Sequence, residues 1–572
     1  MQRSPKPVPE IAGITPYRVP RAGAPTDLVL DGNEGAVPPE DLLDALRAQV
    51  PGVLRDYPST GGLAADLAAR LGVAPEQVVV TAGADDALDR VCRAVLAPGR
   101  EVILPVPGFE MIARYAALAG GEAVHVAWPE GAFPTDAVLG AVTERTALIV
   151  VTSPNNPTGA VATAEDLRRL SAGAPGAVLL VDLAYVEFAD EDLTAAALAL
   201  PNAVVTRTLS KAWGLAGLRV GYAAGPAEIV GWLRVAGAPY AVAGPSVALA
   251  RARLRSGEAE MAAFVGRIRE EREALESVCA EVGLRPVPSQ ANFLLLDAGD
   301  AVWLRDAMAG LGIAVRAFPG RADLEGRVRI ALPGDGSRFE RLAAALRVVR
   351  APEALLFDLD GVLADVSGSF RVAIRETCAA FGVRVDFEAI AAIKREGDAN
   401  DDWVVSQRLI ARGGVQASLP EVTATFERLY QGADGEPGLR ERERLLVSRS
   451  FLEGLAARVP LGIVTGRPRG DADRFLGGQG IADLFGVVVC KEDGPIKPDP
   501  FPVREALRRL GVTRAWMVGD TADDVRAARA GGVLPLGVVA PGEDRVATEP
   551  NLVAAGAARV LDALGDLEDL WP

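Results

Sequence analysis

Along the first half of the chain, short apolar, β-prone runs alternate with longer Ala/Leu/Arg stretches. The runs are VVVTAGA from Val78, REVILPVPG from Arg100, TALIVVTSPNNPTG from Thr146, AVLLVDLAY from Ala177 and AVVTRTLSK from Ala203. Continuous apolar strands of that length, bounded by turn residues and separated by helical stretches, predict a parallel α/β sheet. The rhythm changes after Tyr222. From about 244 to 350, long helical stretches are broken by SQANFLLLD and RVRIALPG, which predict a smaller α+β domain. The first 30 or so residues, rich in Pro and Gly, read as an arm.

A second start follows Pro352, where ALLFDLDGVLAD is a buried strand running into an acidic loop. Residues from about 367 to 455 are mostly helical in pattern, and strands then resume in VPLGIVTGRP, GVVVCKEDG, RAWMVGDTADD and VLPLGVVAPG. The expected organisation is therefore one half over 1–350 and another over 351–572. The first has a large domain at about 35–243 and a small one from 1–34 and 244–350. The second is an α/β core with a helical insertion at about 367–455 after its first strand.

Composition narrows the function classes. A chain of 572 residues with 49% hydrophobic residues has ample material for several cores. The net charge of −16, with no clustered basic face, excludes a nucleic-acid partner. No apolar run reaches the roughly 18 residues of a membrane span, and MQRSPKPVPE has no signal-peptide core. Cys92, Cys279, Cys378 and Cys490 are far apart and read as reduced thiols of a cytoplasmic protein. The one histidine, His125, lies in the strand-like EAVHVAW and reads as structural, so the chemistry does not run on histidine bases or histidine-bound metals. Only five of the 60 basic residues are lysines: Lys6, Lys211, Lys394, Lys491 and Lys497. Arginine cannot readily lose its proton or condense with an aldehyde, whereas lysine can. The five lysines are therefore worth examining one at a time, and Lys6 and Lys491, which no motif claims, read as incidental.

The segment Thr208-Leu-Ser210-Lys211-Ala-Trp-Gly-Leu-Ala-Gly-Leu-Arg219 supplies hydroxyls, one lysine and one arginine within twelve positions. A pyridoxal-phosphate (PLP) enzyme needs that set: a lysine for the cofactor aldehyde, and hydroxyls and an arginine for its phosphate. The segment resembles the signature of class I/II aminotransferases, in a variant close to histidinol-phosphate aminotransferases. Ser153-Pro-Asn-Asn156-Pro-Thr-Gly159 and Asp182-Leu-Ala-Tyr185 resemble further family segments in the expected order. The resemblance implies PLP fold type I, with a large parallel or mixed sheet domain and a small α+β domain. It implies that Asn156 and Tyr185 meet the ring oxygen and that Asp182 meets the ring nitrogen. Ala84 and Asp85 would lie at a phosphate-binding helix start, and Phe109 would stack on the ring. Tyr57 would reach the phosphate of a neighbouring subunit, which implies a homodimer. Arg329 would hold the substrate's anionic end, with Tyr17, Asn292 and Arg316 around it. Three departures stand out: Leu183 for a usual Glu, Gly35-Ala36 for a usual Asn-Pro, and Ile112 where an aromatic is common. The first two lie in segments expected near the substrate pocket.

In the second half, Phe357-Asp358-Leu-Asp360-Gly361, Val464-Thr465-Gly466-Arg467, Lys497-Pro-Asp-Pro and Gly519-Asp520-Thr-Ala-Asp-Asp524 follow in order at strand ends. Together they resemble the haloacid-dehalogenase superfamily, a Rossmann-like core with a helical cap. The resemblance implies Asp358 as nucleophile and Asp360 as general acid/base. Thr465 and Lys497 would bind the phosphoryl group. Asp358, Asp360, Asp520 and Asp524 would be the ligands of Mg²⁺. Lys394, in the polar stretch Lys394–Trp403, is the candidate substrate reader of the cap. The expected reactions are transamination with a small amino donor and hydrolysis of a small phosphorylated substrate. The best guess is histidinol phosphate for both halves, and the alternative is another phosphorylated amino compound. A PLP-binding transcription regulator would need a basic DNA-binding domain, for which no residues are available.

Overall fold

The computed structural model describes residues 6–12, 14–47, 51–395, 401–433 and 436–572. It divides into two compact units. The first comprises residues up to Pro20, Leu30–Ala301 and Val315–Glu340; the second comprises Arg21–Val29, Val302–Ala314 and Arg341–Pro572.

In the first unit seven strands form the main sheet: β1 (Val78–Thr81), β2 (Glu101–Val106), β3 (Glu122–Ala127), β4 (Thr146–Thr152), β5 (Val178–Asp182), β6 (Ala203–Thr208) and β7 (Gly221–Ala224). Their order is β1-β7-β6-β5-β4-β2-β3. β7 runs antiparallel to β1 and β6, and the other pairings are parallel. β4 and β5 are buried at every position, as strands covered on both faces must be. β7 has no counterpart among the expected strands: GYAA is a tyrosine among three small residues, without an apolar run. Its glycine is required, because a Cβ on Gly221 would stand 2.5 Å from the Gly83 carbonyl carbon. A second, antiparallel sheet has the order β10-β11-β9-β8, with β8 (Arg285–Val287), β9 (Phe293–Asp297), β10 (Arg316–Ala317) and β11 (Arg327–Ala331). β9 and β11 are the two expected strands.

The second unit is built on six parallel strands in the order β14-β13-β12-β15-β16-β17. They are β12 (Ala354–Phe357), β13 (Leu461–Val464), β14 (Phe485–Val489), β15 (Ala515–Gly519), β16 (Leu534–Val538) and β17 (Arg559–Leu561). The insertion contributes helices Phe370–Ala380, Phe387–Arg395, Asp402–Arg412 and Leu419–Gln431, which share one apolar core around Ile374, Val405, Phe426 and Tyr430. This unit also holds the parallel pair Leu28–Val29 with Ile313–Ala314, and Trp303 edge-on to Trp516 at 5.6 Å. Among the described residues, no helix is long and apolar enough to cross a membrane.

Candidate active sites

In the first unit the expected residues gather at the strand ends of the main sheet. Lys211, just beyond β6, donates from Nζ to the Gly32 carbonyl at 3.0 Å and stands 5.6 Å from the Tyr185 ring centre. The loop that carries it is packed tightly: a Cβ on Gly35 would lie 1.8 Å from the Lys211 carbonyl oxygen. The departure at Gly35 thus serves the lysine loop. Leu183 is likewise a packing residue, fully buried in the core under β4 and β5. Ile112 also faces a core.

Asp182 ends β5 and is buried, and its Oδ1 accepts from Thr206 at 3.1 Å. Burial pushes its carboxyl up to about 7, against the pull of Thr206. Asn33 Nδ2 donates to the Tyr185 hydroxyl at 3.1 Å, and Asn292 Nδ2 donates to the Asn33 carbonyl at 3.2 Å. Arg329 donates to Asn156 Oδ1 at 2.6 Å and to the Asp31 carbonyl at 2.7 Å. Arg316 lies 5.9 Å from the Tyr17 ring centre and 5.4 Å from that of Phe318. Four buried atoms of this group, Asn33 Oδ1, Asn292 Oδ1, Arg316 Nη1 and Arg329 Nε, have no hydrogen-bond partner among the described residues. Each such atom costs about 1–3 kcal/mol unless a ligand meets it. The group therefore fits a small polar molecule with an anionic end.

A second cluster suits a phosphate. Gly83, at φ +82°, opens the helix Gly83–Val95 with Ala84 and Asp85 in its first turn. A Cβ on Gly83 would stand 2.5 Å from Arg219 Nη2. Thr208 and Ser210 hydroxyls are 2.8 Å apart, and Arg219 reaches Ser210 Oγ at 3.3 Å and Asp85 at 2.9 Å. Amides of a helix start with two hydroxyls and a guanidinium form an anion cradle. Phe109 and Asn155 line a neighbouring cavity. Tyr57 stands out at the surface, 81% exposed and stacked on Tyr240 at 4.5 Å.

In the second unit the four motifs converge at the carboxyl ends of the parallel strands, where open α/β sheets bind ligands. Asp358 follows β12, Thr465 follows β13 and Asp520 follows β15. Lys497 donates to Asp358 Oδ1 at 2.7 Å and to the Val464 carbonyl at 3.1 Å, and forms an ion pair with Asp524. These two carboxylates hold the buried ammonium above its usual range, while burial itself raises the Asp358 carboxyl. Carboxylate oxygens of Asp358, Asp520 and Asp524 all lie within 4.8 Å of one another, a set able to hold a hard divalent cation. Gly361, at φ +74°, makes room for it: a Cβ there would stand 2.3 Å from Asp520 Oδ2. The Asp360 carboxylate is not in this set. Arg467 Nε donates to Asp360 Oδ1 at 2.7 Å, and Arg467 also binds Glu443 at 2.9 Å.

Arg467 was quoted within its motif but given no role; its burial between two acids was invisible in sequence. Lys394 lies in the helix Phe387–Arg395, but its side chain and residues 396–400 fall outside the described residues. The end of that polar stretch does reach the site. Asp401, Asp402 and Trp403 line the same pocket as Asp358, together with Lys491, which sequence reading had set aside as incidental.

A lysine, a buried aspartate and an anion cradle on one sheet, and a nucleophile-like aspartate beside a lysine on another, define two enzymes in one chain. Comparison places both. Residues 29–346 match aminotransferase class I and II, and the chain belongs to that family; residues 355–538 match the haloacid dehalogenase-like hydrolases. A histidinol-phosphate aminotransferase of Paramagnetospirillum magneticum is 34% identical over 60% of this chain and 98% of its own length. An aromatic amino acid aminotransferase of Mycolicibacterium paratuberculosis is 35% identical over 59% and 96%. An imidazoleglycerol-phosphate dehydratase of Phytophthora nicotianae is 45% identical over 237 residues, 38% of this chain and 52% of that one, so the match spans about half of that relative. Among solved structures, a histidinol-phosphate aminotransferase of Sinorhizobium meliloti in complex with pyridoxal-5'-phosphate matches with TM-score 0.53 at 26% identity, over 60% of this chain and 97% of that one.

Proposed function

We propose that the chain is a bifunctional enzyme: a PLP-dependent aminotransferase of a phosphorylated amino compound and a Mg²⁺-dependent phosphatase of the same class of compound, histidinol phosphate being the first choice for both. The observation that carries the phosphatase reading is the Lys497–Asp358 contact beside a convergent carboxylate triad. For the aminotransferase it is the buried Asp182 on the sheet that carries Lys211, beside Arg316 Nη1 and Arg329 Nε, which lack partners among the described residues.

In the first site Thr208, Ser210, Arg219 and the amides of Ala84 and Asp85 would hold the cofactor phosphate. Asn156 and Tyr185 would meet the ring oxygen, and Phe109 the ring face. When bound, PLP supplies the carbonyl that takes up the amino group and a ring that accepts electrons. Asp182 keeps a proton on the ring nitrogen. Lys211 Nζ, once free, carries the proton between the substrate carbon and the cofactor carbon. Arg329, Arg316, Asn292 and Tyr17 hold and orient the substrate. Tyr57, exposed on its own chain, fits the expected reach into a partner's site, which supports a homodimer.

In the second site Asp358 attacks phosphorus and the ester P–O bond breaks. Asp360 gives its proton to the leaving alcohol oxygen, then takes one from the water that cleaves the phosphoryl-aspartate. Thr465 donates to a phosphoryl oxygen and Lys497 neutralises its charge. Mg²⁺, when held by Asp358, Asp520 and Asp524, supplies further neutralisation of the phosphoryl group. Relatives named for histidinol phosphate and imidazoleglycerol phosphate support an imidazole-bearing phosphate ester. Soluble cytoplasmic residence accords with the free cysteines.

The test is phosphate release from histidinol phosphate by the purified chain with Mg²⁺, with Asp358→Asn as control. Release that the variant lacks supports the assignment. Turnover of p-nitrophenyl phosphate without release from histidinol phosphate sinks the substrate and keeps the phosphatase.

A further inference from the structure

Lys491 lies just after β14, on the core of the second unit, and its side chain is 27% exposed. It meets two residues of the cap. Its ammonium is 2.5 Å from Asp401 Oδ2 and 3.9 Å from the centre of the Trp403 ring. Both partners are themselves fixed. Asp401 caps the helix Asp402–Arg412, its Oδ1 accepting from the Trp403 amide at 3.1 Å and the Val404 amide at 3.4 Å. The Trp403 indole donates to Glu427 Oε1 at 3.0 Å. All four side chains line the pocket that also contains Asp358, Asp360 and Lys497. A second tie between cap and core, Gln431 to Asp471 at 2.9 Å, lies on the rim of the same pocket.

We propose that Lys491 is a positioning residue of the phosphatase: it latches the cap through Asp401 and Trp403, and so sets the wall that selects the phosphate ester. The inference rests on the phosphatase reading above. Lys491 does not touch the reacting atoms; it acts through the Trp403–Glu427 wall. An ammonium gripped by a carboxylate on one side and an aromatic face on the other is worth more when partly buried than a surface ion pair. The geometry also accounts for a lysine in a chain that otherwise uses arginine. A compact ammonium centred over one ring while touching a carboxylate is a different geometry from a stacked planar guanidinium.

The experiment is steady-state hydrolysis by the full chain with Mg²⁺. It compares wild type, Lys491→Met and Lys491→Arg on p-nitrophenyl phosphate and on a panel of histidinol, 3-aminopropyl and glycerol phosphates. The quantity read is kcat/KM for the best panel ester divided by that for p-nitrophenyl phosphate. The Met variant is expected to lower this ratio at least tenfold, mostly through KM, with the Arg variant in between. An unchanged ratio, or an equal loss on every ester, overturns the latch. So does a wild type that prefers no panel ester, because there is then no selection to set. Absence of hydrolysis of any ester fails the phosphatase reading itself.

Discussion

Lys497 Nζ stands 2.7 Å from Asp358 Oδ1, and both side chains are buried, Asp358 at the end of β12 and Lys497 in the loop that follows β14. Without Lys497, Asp358 and Asp524 would face each other as buried carboxylates with no cation between them. Lys497→Met is therefore expected to lower phosphate release by about 10²–10³-fold and to cost about 3–5 kcal/mol of stability. Asp358→Asn should abolish release at a smaller cost, because it removes a charge rather than stranding one. Transamination should persist in both variants. Phosphate release and transamination measured on the same samples check this; equal loss of both activities would contradict it.

Gly35 offers a sharper probe of the first site. An alanine there must push the Lys211 loop, since its Cβ would lie 1.8 Å from the Lys211 carbonyl oxygen. A displacement of about 1 Å at a reacting group costs on the order of 10²-fold in rate. Gly35→Ala should therefore lower transamination by roughly 10–100-fold and leave phosphate release at the wild-type value. Wild-type transamination would show that the loop yields freely.

These two sites differ in how far the sequence disclosed them. The nucleophile, lysine and carboxylates of the second site sit in four short motifs at strand ends, and strand ends are legible because apolar runs stop there. The first sheet was legible for the same reason, except β7, where one tyrosine among three small residues gives no apolar run. Contacts across long separations were not legible. Arg467 meets Asp360 because β12 and β13 lie side by side, and Lys491 meets Asp401 because the cap folds back over the core. Leu183 could be seen as a departure but not assigned a direction, because a strand-end residue can face a pocket or a core with equal ease.

Arg467 should be among the costliest positions of the second unit. Its guanidinium is buried, paired with Asp360 and Glu443, and faces the Phe370 ring at 5.0 Å. Arg467→Met strands Glu443 and frees Asp360. The expected result is a loss of about 3–5 kcal/mol and a phosphatase rate at least tenfold lower, read by chemical denaturation and phosphate release. Arg467→Lys should recover part of the stability and less of the rate, because one ammonium cannot span both acids.

The last prediction concerns Asp182 in the cofactor-free protein. Burial holds its carboxyl at about 7 in the fold, against an ordinary value of 3.8. A group whose folded value lies above its unfolded value takes up a proton on folding. Its contribution to stability is fully present below about pH 4 and is lost as pH rises toward 7. Asp182→Asn carries no such proton. Relative to that variant, the cofactor-free wild type should therefore lose stability between pH 5 and 7.5, by about 2.5 kcal/mol. Thermal midpoints of the two proteins across that range provide the measurement, and parallel curves would refute the buried, protonated Asp182. Loading with PLP should flatten the difference, because a protonated ring nitrogen beside Asp182 gives the charged carboxylate the partner it lacks in the empty fold.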